Sequence, residues 1–280
     1  MIKILFQRLA GDKAALAALL FLTFILLIGL AAPSLAPHDP VRPSLKHKFA
    51  EISLEYPLGA DNLGRCVLSR LMYGVRTTFF TALGIMAATI AIGLAVGLSA
   101  GFFRGRVDEF LMRLCDVMLS FPAEAAILAL VGVLGPSLGN IILAAVIIKW
   151  AWYARMIRGL VMARTENNYV RYARAIGAPP FFVMRRHLLP AVAAELAVLA
   201  TTDAGSVILT ISALSFLGLG VQAPTPEWGL MLSEAKNVMV THPWLMLPAG
   251  LTITLTVAAL NFTGDFLRDL IDPKHYRQAA

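Results

Sequence analysis

An all-α integral membrane protein with six transmembrane helices is the fold class this sequence predicts, on three observations. Hydrophobic residues make up 58% of the 280 positions and charged ones only 15%, against about 25% in soluble domains. Six stretches approach the roughly 20 apolar residues that cross a bilayer. The cations gather beside those stretches rather than in a block of their own. A net charge of +7 is therefore read as membrane flanking, and nucleic acid is excluded as a partner.

The predicted spans are Ala14–Ala32, Thr77–Phe102, Arg113–Leu134, Leu138–Arg158, Ala191–Ser215 and Leu245–Leu267. A cleaved signal peptide is the alternative for the first, which follows Lys3, Arg8 and Lys13. Signal cores run only about 7–15 apolar residues, however, and this stretch is longer. The chain is read as a single membrane domain over 1–280: a first span plus an outer amphipathic segment in 1–76, and a core in 77–273 containing the loop 159–190.

Flanking cations orient the spans. With both termini in the cytoplasm, sixteen of the 24 Lys and Arg fall on the inner side, among them Arg104, Arg106, Arg113, Arg155, Arg158, Arg164, Arg171, Arg174, Arg185, Arg186, Arg268, Lys274 and Arg277. Seven fall outside, and Lys149 lies within a span. The loop between the fourth and fifth spans is therefore cytoplasmic. On this topology Cys66 is outside and Cys115 near the inner end of the third span, too far apart for a disulfide.

Outside, Pro33, Pro37, Pro40, Pro43 and Pro57 punctuate the first loop. From Asn62 to Tyr73, Leu63, Val67, Leu68, Leu71 and Met72 recur at helical spacing with Arg65, Ser69, Arg70 and Arg76 between them, which predicts an amphipathic helix lying on the outer interface. The inner loop is more informative. Tyr169, Ala173 and Gly177 are four apart and share a helix face, and two are small enough for a partner's surface to approach closely. Arg171 and Arg174 lie off that face, Gly177 suits a helix end, and Pro179-Pro180 stops continuation ahead of an apolar knob at Phe181, Phe182 and Val183. Such a short helix across two span ends transmits a push as rigid-body motion. An inert basic loop held by lipid headgroups is the alternative.

At these residues the chain resembles a known family. ARAIG, with Gly177 thirteen residues before Pro190, is similar to the ATPase-coupling loop (EAA…G…LP) of bacterial ABC importer permeases. LGADNLGRCVLSRLMYGVR, WAWYARMIRG and ALSFLGLGVQAPTPEWG resemble the peptide/nickel subfamily in its second permease, so the likeness runs from Leu58 to Pro273. Arg171 and Tyr172 stand where the coupling loop commonly has Glu and Ala, and Cys66 stands where the outer motif commonly has Asp. Ile211 replaces a Glu common in peptide permeases, a departure that brings the chain nearer the nickel ones.

The resemblance implies a six-span subunit of the bacterial inner membrane, paired with a homologous permease, driven by two ATPases and fed by an extracytoplasmic binding protein. It assigns ATPase coupling to Tyr169, Arg171, Ala173, Arg174, Gly177, Phe181 and Pro190. ATP and magnesium belong to the partner ATPases, no cofactor is expected on this chain, and the implied cycle is alternating access. Nickel or a nickel chelate is the expected cargo, with dipeptides or oligopeptides as the alternative.

Ionisable residues inside spans mark pathways or buried pairs. Asp203 sits mid-way along the fifth span near Thr201, Thr202 and Ser206, and Glu124 follows Pro122 in the third. Both carboxylates are pathway candidates, since nickel accepts such ligands; a hydrogen-bonded structural role is the alternative for Asp203. Glu195 and Asp116 lie close enough to the inner face to meet its arginines. His242, beside Pro243 at the outer mouth, is a third pathway candidate. His38, His47, His187 and His275 show no ligand spacing, and Met86, Met118, Met156 and Met231 read as span filler, so no metal site is assigned.

Enzymatic function finds no support in motif: there is neither HExxH nor GxxxxGK[ST]. An ion-coupled secondary transporter using Asp203 as a proton carrier is the rival, although the two matching broken spans it calls for are not apparent.

Overall fold

The computed structural model describes Leu9 and residues 11–271. Lys3, Arg8, Lys274 and Arg277, used above to orient the termini, lie outside the described residues, as does His275. Eleven α-helices fill most of that length, and a lone antiparallel bridge between Ala60 and Cys66 is the sole β pairing found among the described residues.

Helix α1 (Lys13–Leu35) starts where the Asp12 carboxylate accepts the free N–H groups of Ala14 and Ala15, both at 3.0 Å. Next, α2 (Val67–Gly74) runs through one wide turn at Val75–Phe80 into α3 (Thr81–Phe103), forming a 37-residue helical run. Positive φ at Arg104 and Gly105 reverses the chain into α4 (Gly105–Leu119). The 28-residue α6 (Leu138–Thr165) and α9 (Leu189–Phe216) follow later, and α11 (Met246–Ile271) ends the described chain.

The third predicted span is not one helix. Arg113–Leu134 divides into the end of α4 and α5 (Ala123–Leu134), bent by 77° at a break. Pro122 is the cause: it has no N–H to continue α4 and biases Phe121 away from helical backbone. The helix restarts only when Ala126 donates to the Pro122 carbonyl at 3.0 Å. Among the described residues, five helices are thus long and apolar enough to cross a membrane, or six with the bent pair counted as one span.

The Asn62–Tyr73 reading also needs correction. The segment does not lie on a surface; from Val67 it is the outer end of the second span. Arg65, Ser69 and Arg70, expected on its wet side, are 2%, 0% and 1% exposed. They tolerate burial because carboxylates meet them there, as described below.

Two helix pairs form the core. Gly93, Gly97 and Gly101 line the face of α3 that touches Tyr153, Ala154, Ile157 and Val161 of α6. Four-residue spacing of small side chains allows close backbone approach in lipid, where helix association rests on packing rather than water exclusion. The second pair is α9 with α11, where Gly264 meets Thr202 and Gly205 meets Val257. The α4 half of the broken span is pinned to α6 by Arg158 with Asp108 and by Arg155 with Asp116.

Candidate functional site

Two helices carry the mid-depth chemistry. Lys149 and Tyr153 are four apart on α6 and therefore share a face. Facing them on α9 is Asp203, whose Oδ2 accepts a hydrogen bond from the Tyr153 hydroxyl at 3.0 Å while Oδ1 lies 3.5 Å from the Lys149 ammonium. At the head of α5, Glu124 Oε1 lies 4.0 Å from the same ammonium, and Oε2 accepts from the Thr210 hydroxyl of α9 at 3.0 Å. Each carboxylate is thus pinned by a hydroxyl and shares Lys149 with the other.

Lys149, Tyr153 and Asp203 line a partly open cavity of about 230 Å³, whose remaining wall includes Phe121, Ala123, Ile148 and Trp152. The cavity lies beside the Pro122 break, with Met118, Leu119, Phe121 and Ala123 in its wall. Asp203 and Glu124 are therefore brought together around one lysine. Thr201 and Thr202, expected beside Asp203, instead bond back to carbonyls of their own helix. His242 is elsewhere: its ring stacks on Phe49 at 3.8 Å in the outer layer, in a separate cavity with Glu51, Ile52 and Trp244. Among the described residues, no group of three or more His, Cys, Asp or Glu is arranged to hold a metal ion.

At the inner end, the short helix α7 spans Asn168–Ala175. Gly177 takes φ +79°, with its N–H on the Arg174 carbonyl at 3.0 Å and the Ala178 N–H on Ala173 at 3.0 Å, a left-handed cap that suits glycine. Pro180 then opens α8 (Pro180–Val183), and a wide turn leads into α9 with Pro190 in its first turn.

The expected shared face of Tyr169, Ala173 and Gly177 does not form: Ala173 turns inward with Val170, and Gly177 lies past the helix end. Outward instead are Tyr169, Tyr172 and Ile176, with Phe181 and Phe182 beyond them. Arg171 and Arg174 are both exposed, and Arg174 lays its guanidinium 4.3 Å from the Phe102 ring. Glu195 meets Arg164 at 2.8 Å, and Asp116 meets Arg155, as expected for carboxylates near the inner face. Glu166, just after α6, is held below the usual carboxylate range by its 2.6 Å contact with Arg104, to which Arg171 and Arg174 add.

The outer ends are tied by a buried charge cluster. Asp61 Oδ2 accepts from Arg65 at 2.7 Å and from Arg70 at 2.6 Å; Glu234, on α10 (Trp228–Lys236), accepts from the same two residues at 2.9 and 2.5 Å. Beside it Trp228, with no exposed surface, fills the notch left by Gly74 and donates to the Leu71 carbonyl at 3.1 Å. Glu227 caps α10 by accepting the Leu230 N–H at 2.7 Å and also accepts from Thr78 at 2.8 Å. Its complete burial pushes its carboxyl above the usual range, and the hydrogen bonds it accepts only partly offset this.

Sequence reasoning missed Lys149 and Tyr153 as pathway residues, and Glu227 and Glu234 altogether. The available signal was a lone lysine inside an apolar run, where an ionisable group requires a partner.

Known proteins place this architecture. Residues 93–275 match the family described as binding-protein-dependent transport system inner membrane component, and residues 1–54 match the N-terminal TM domain of oligopeptide transport permease C. The metal-staphylopine import system permease protein of Staphylococcus aureus strain Mu50 is 42% identical over 271 residues, covering 97% of this chain and 94% of that protein. The nickel transport system permease protein of Escherichia coli K12 is 40% identical, covering 91% and 92%. A di/tripeptide transport system permease protein of Pseudomonas aeruginosa is 39% identical, covering 98% and 92%. With a matching family over most of its length, its helical spans and these relatives, the chain belongs to the binding-protein-dependent permeases and is a membrane subunit of an ABC importer of the peptide/nickel type.

Proposed function

We propose that this subunit carries nickel, as the ion or as a chelate, into the cell across the bacterial inner membrane by alternating access. It pairs with a homologous permease, and both termini are cytoplasmic. Two separate ATPases bind ATP and magnesium and dock on the 159–190 segment, and an extracytoplasmic binding protein delivers the cargo. The observation that carries the reading is the partly open cavity at mid-depth, where α6 and α9 present Asp203, Lys149 and Tyr153 in an otherwise apolar wall. Charged groups at that depth are costly unless they pair with one another or face a water-filled path, and these do both. At about 230 Å³ the cavity is smaller than the roughly 300–1,000 Å³ of complete ligand sites, as suits one wall of a path that a second permease closes.

Nickel is favoured because two of the three relatives quoted above are named for metal or nickel import. Dipeptide import is the second reading, supported by the 39% identical relative.

Uptake of radioactive nickel by cells expressing the whole importer tests the proposal. Uptake should saturate, vanish when the ATPases are removed and survive excess dipeptide. Asp203→Asn should reduce it with the complex still assembled. Dipeptide uptake in place of nickel uptake would reverse the cargo assignment, and uptake without the ATPases would reinstate an ion-coupled transporter.

A further inference from the structure

We infer that the exposed face of α11 is a helix-packing seam for a span of the second permease, and that Asp265 on it demands a hydrogen-bond donor from that span and so rejects a second copy of this chain. This rests on the reading that the chain pairs with a homologous permease.

Spacing comes first. Leu247, Leu251, Thr254, Ala258, Asn261 and Asp265 follow one another at intervals of four, three, four, three and four. That repeat keeps the six side chains on one stripe, the pattern of a seam between helices crossing at about 20°. The other side of α11 is already taken by α9 and α1. The stripe is not: Leu247 and Leu251 are 59% and 55% exposed, Thr254, Asn261 and Asp265 are exposed, and Ala258 is half-buried.

Depth then separates a helix partner from lipid. The 26 residues of α11 make about 39 Å of helix, against a hydrocarbon layer about 30 Å thick. With the helix centred, Asn261 stands about 4 Å from the midplane and Asp265 about 10 Å, both inside the hydrocarbon. The threonines of α11 satisfy themselves in that medium, since Thr252, Thr254, Thr256 and Thr263 each donate to a carbonyl one turn back. Asn261 and Asp265 have neither a side-chain hydrogen bond nor an ion pair among the described residues. Turned to lipid, an amide and a carboxylate would be left unsatisfied. Facing a neighbouring span, they become the polar contacts that join membrane helices. Leu255 and Phe262, both exposed, border the stripe, so the polar pair is set in an apolar surface that suits a dry interface rather than a wetted wall.

Asp265 chooses the partner. Two copies of this chain share one topology, so they would meet about a two-fold axis along the membrane normal, and each seam residue would face itself. Asn261 accommodates that, because an amide both donates and accepts. Asp265 does not: two ionised carboxylates repel at that depth and neither carries a donor. A homologous but different span with an arginine, lysine, amide or hydroxyl at that level satisfies it. A polar seam residue of this kind gives up stability for selectivity in pairing.

The test uses the whole importer in native membranes, with the two permeases carrying different affinity tags. Photo-crosslinking benzoylphenylalanine placed at Thr254, in an otherwise unaltered chain, should give an adduct carrying both tags. An adduct with lipid alone, in membranes where the two permeases still co-purify, would overturn the inference and leave their pairing intact. Labelling of Thr254→Cys by a water-soluble maleimide in the assembled importer would overturn it too, by making the face part of a wetted path.

Asn261→Leu and Asp265→Leu should each lower recovery of the paired permeases about three- to ten-fold, as the loss of an interhelical hydrogen bond in a membrane does. Asp265→Asn, which still accepts, should restore most of the recovery and so separates a lost contact from a misfolded chain. With a differently tagged second copy of this chain co-expressed beside the importer, Asp265→Leu should let the two copies co-purify, which the unaltered chain should not. Full recovery from both leucine variants would overturn the polar contact. Unaltered copies crosslinking to each other through Thr254, with none to the second permease, would overturn both the choice of partner and the pairing it rests on.

Discussion

Gly97→Val tests the packing that holds the cavity in place. A Cβ at position 97 would stand 2.6 Å from the Ala154 carbonyl oxygen, with Ile157 Cβ at 2.8 Å. The first of these is backbone and cannot rotate away. To reach an ordinary contact of 3.4 Å the two helices must part by about 0.8 Å, an opening that forfeits a quarter to a half of the dispersion attraction along that seam. Overpacking of this kind costs about 1–3 kcal/mol. Because the displaced helix carries Lys149 and Tyr153, transport should fall further than stability alone explains.

The assay is thermal unfolding of the purified complex beside nickel uptake. A fall of roughly 2–12 °C in Tm is expected, at about 2–4 °C per kcal/mol for a chain of this size. Gly84→Val is the control, since a Cβ there meets nothing within 4 Å on the same helix. Equal losses for the two variants, or none for Gly97→Val, would refute the reasoning.

Arg70→Met should destabilise the chain by about 3–5 kcal/mol in thermal or denaturant unfolding, because it leaves Asp61 and Glu234 with one buried cation between them. The double variant Arg70→Met with Glu234→Met should recover much of that loss, since Arg65 and Asp61 remain a neutral pair. Gly177→Arg should abolish uptake and uncouple ATP hydrolysis without preventing membrane insertion, because a side chain at φ +79° costs about 1–2 kcal/mol and, with nothing within 4 Å of its Cβ, its bulk would project from the surface next to the exposed Ile176. Glu227 gives a pH signature. With its folded pKa raised, the folded state holds the proton more tightly than the unfolded one, so this contribution to stability is full below about pH 4.5 and is lost as pH rises through the folded value. Glu227→Gln should abolish that decline in a Tm-versus-pH series; an unchanged slope would assign the decline to another group.

Long apolar runs made most spans legible, because a hydrophobic stretch near 20 residues has few other uses. The break at Pro122 was legible too, yet hydropathy averages over a bend, and the oily residues on both sides joined Arg113 to Leu134. The outer helix was misread for a different reason. Arg65 and Arg70 look solvated unless their partners are known, and Glu234 lies 164 residues beyond Arg70. The mid-depth cluster is equally non-local: Asp203 is 50 residues from Tyr153 and 54 from Lys149. Residue type marked Asp203 and Glu124 as costly to bury, but only the fold supplied the lysine between them. On the inner helix, spacing alone put Tyr169 and Ala173 on one face, which the structure separates. What it lacked was the direction of the core, which claims Ala173 and turns Tyr172 and Ile176 outward.

Those inner residues and the cavity are linked by the same two helices. The cavity groups Lys149 and Tyr153 sit on α6, which ends at Thr165 where α7 begins within three residues. Asp203 sits on α9, entered directly from α8 and the wide turn. Near their inner ends Arg164 of α6 and Glu195 of α9 are bridged at 2.8 Å, so a displacement of the 159–190 segment must either move both helices together or break that bridge. Moving together carries Lys149 and Asp203 as one wall, preserving the spacing a cargo meets. Breaking the bridge would let the wall splay and change the 3.5 Å separation at mid-depth. The proposed cycle needs the first behaviour, because Asp203, Lys149 and Tyr153 form one wall only while α6 and α9 keep their spacing. Arg164→Gln separates the alternatives: it should leave ATP hydrolysis coupled but lower nickel uptake, and unaltered uptake would show that the wall keeps its spacing without the bridge.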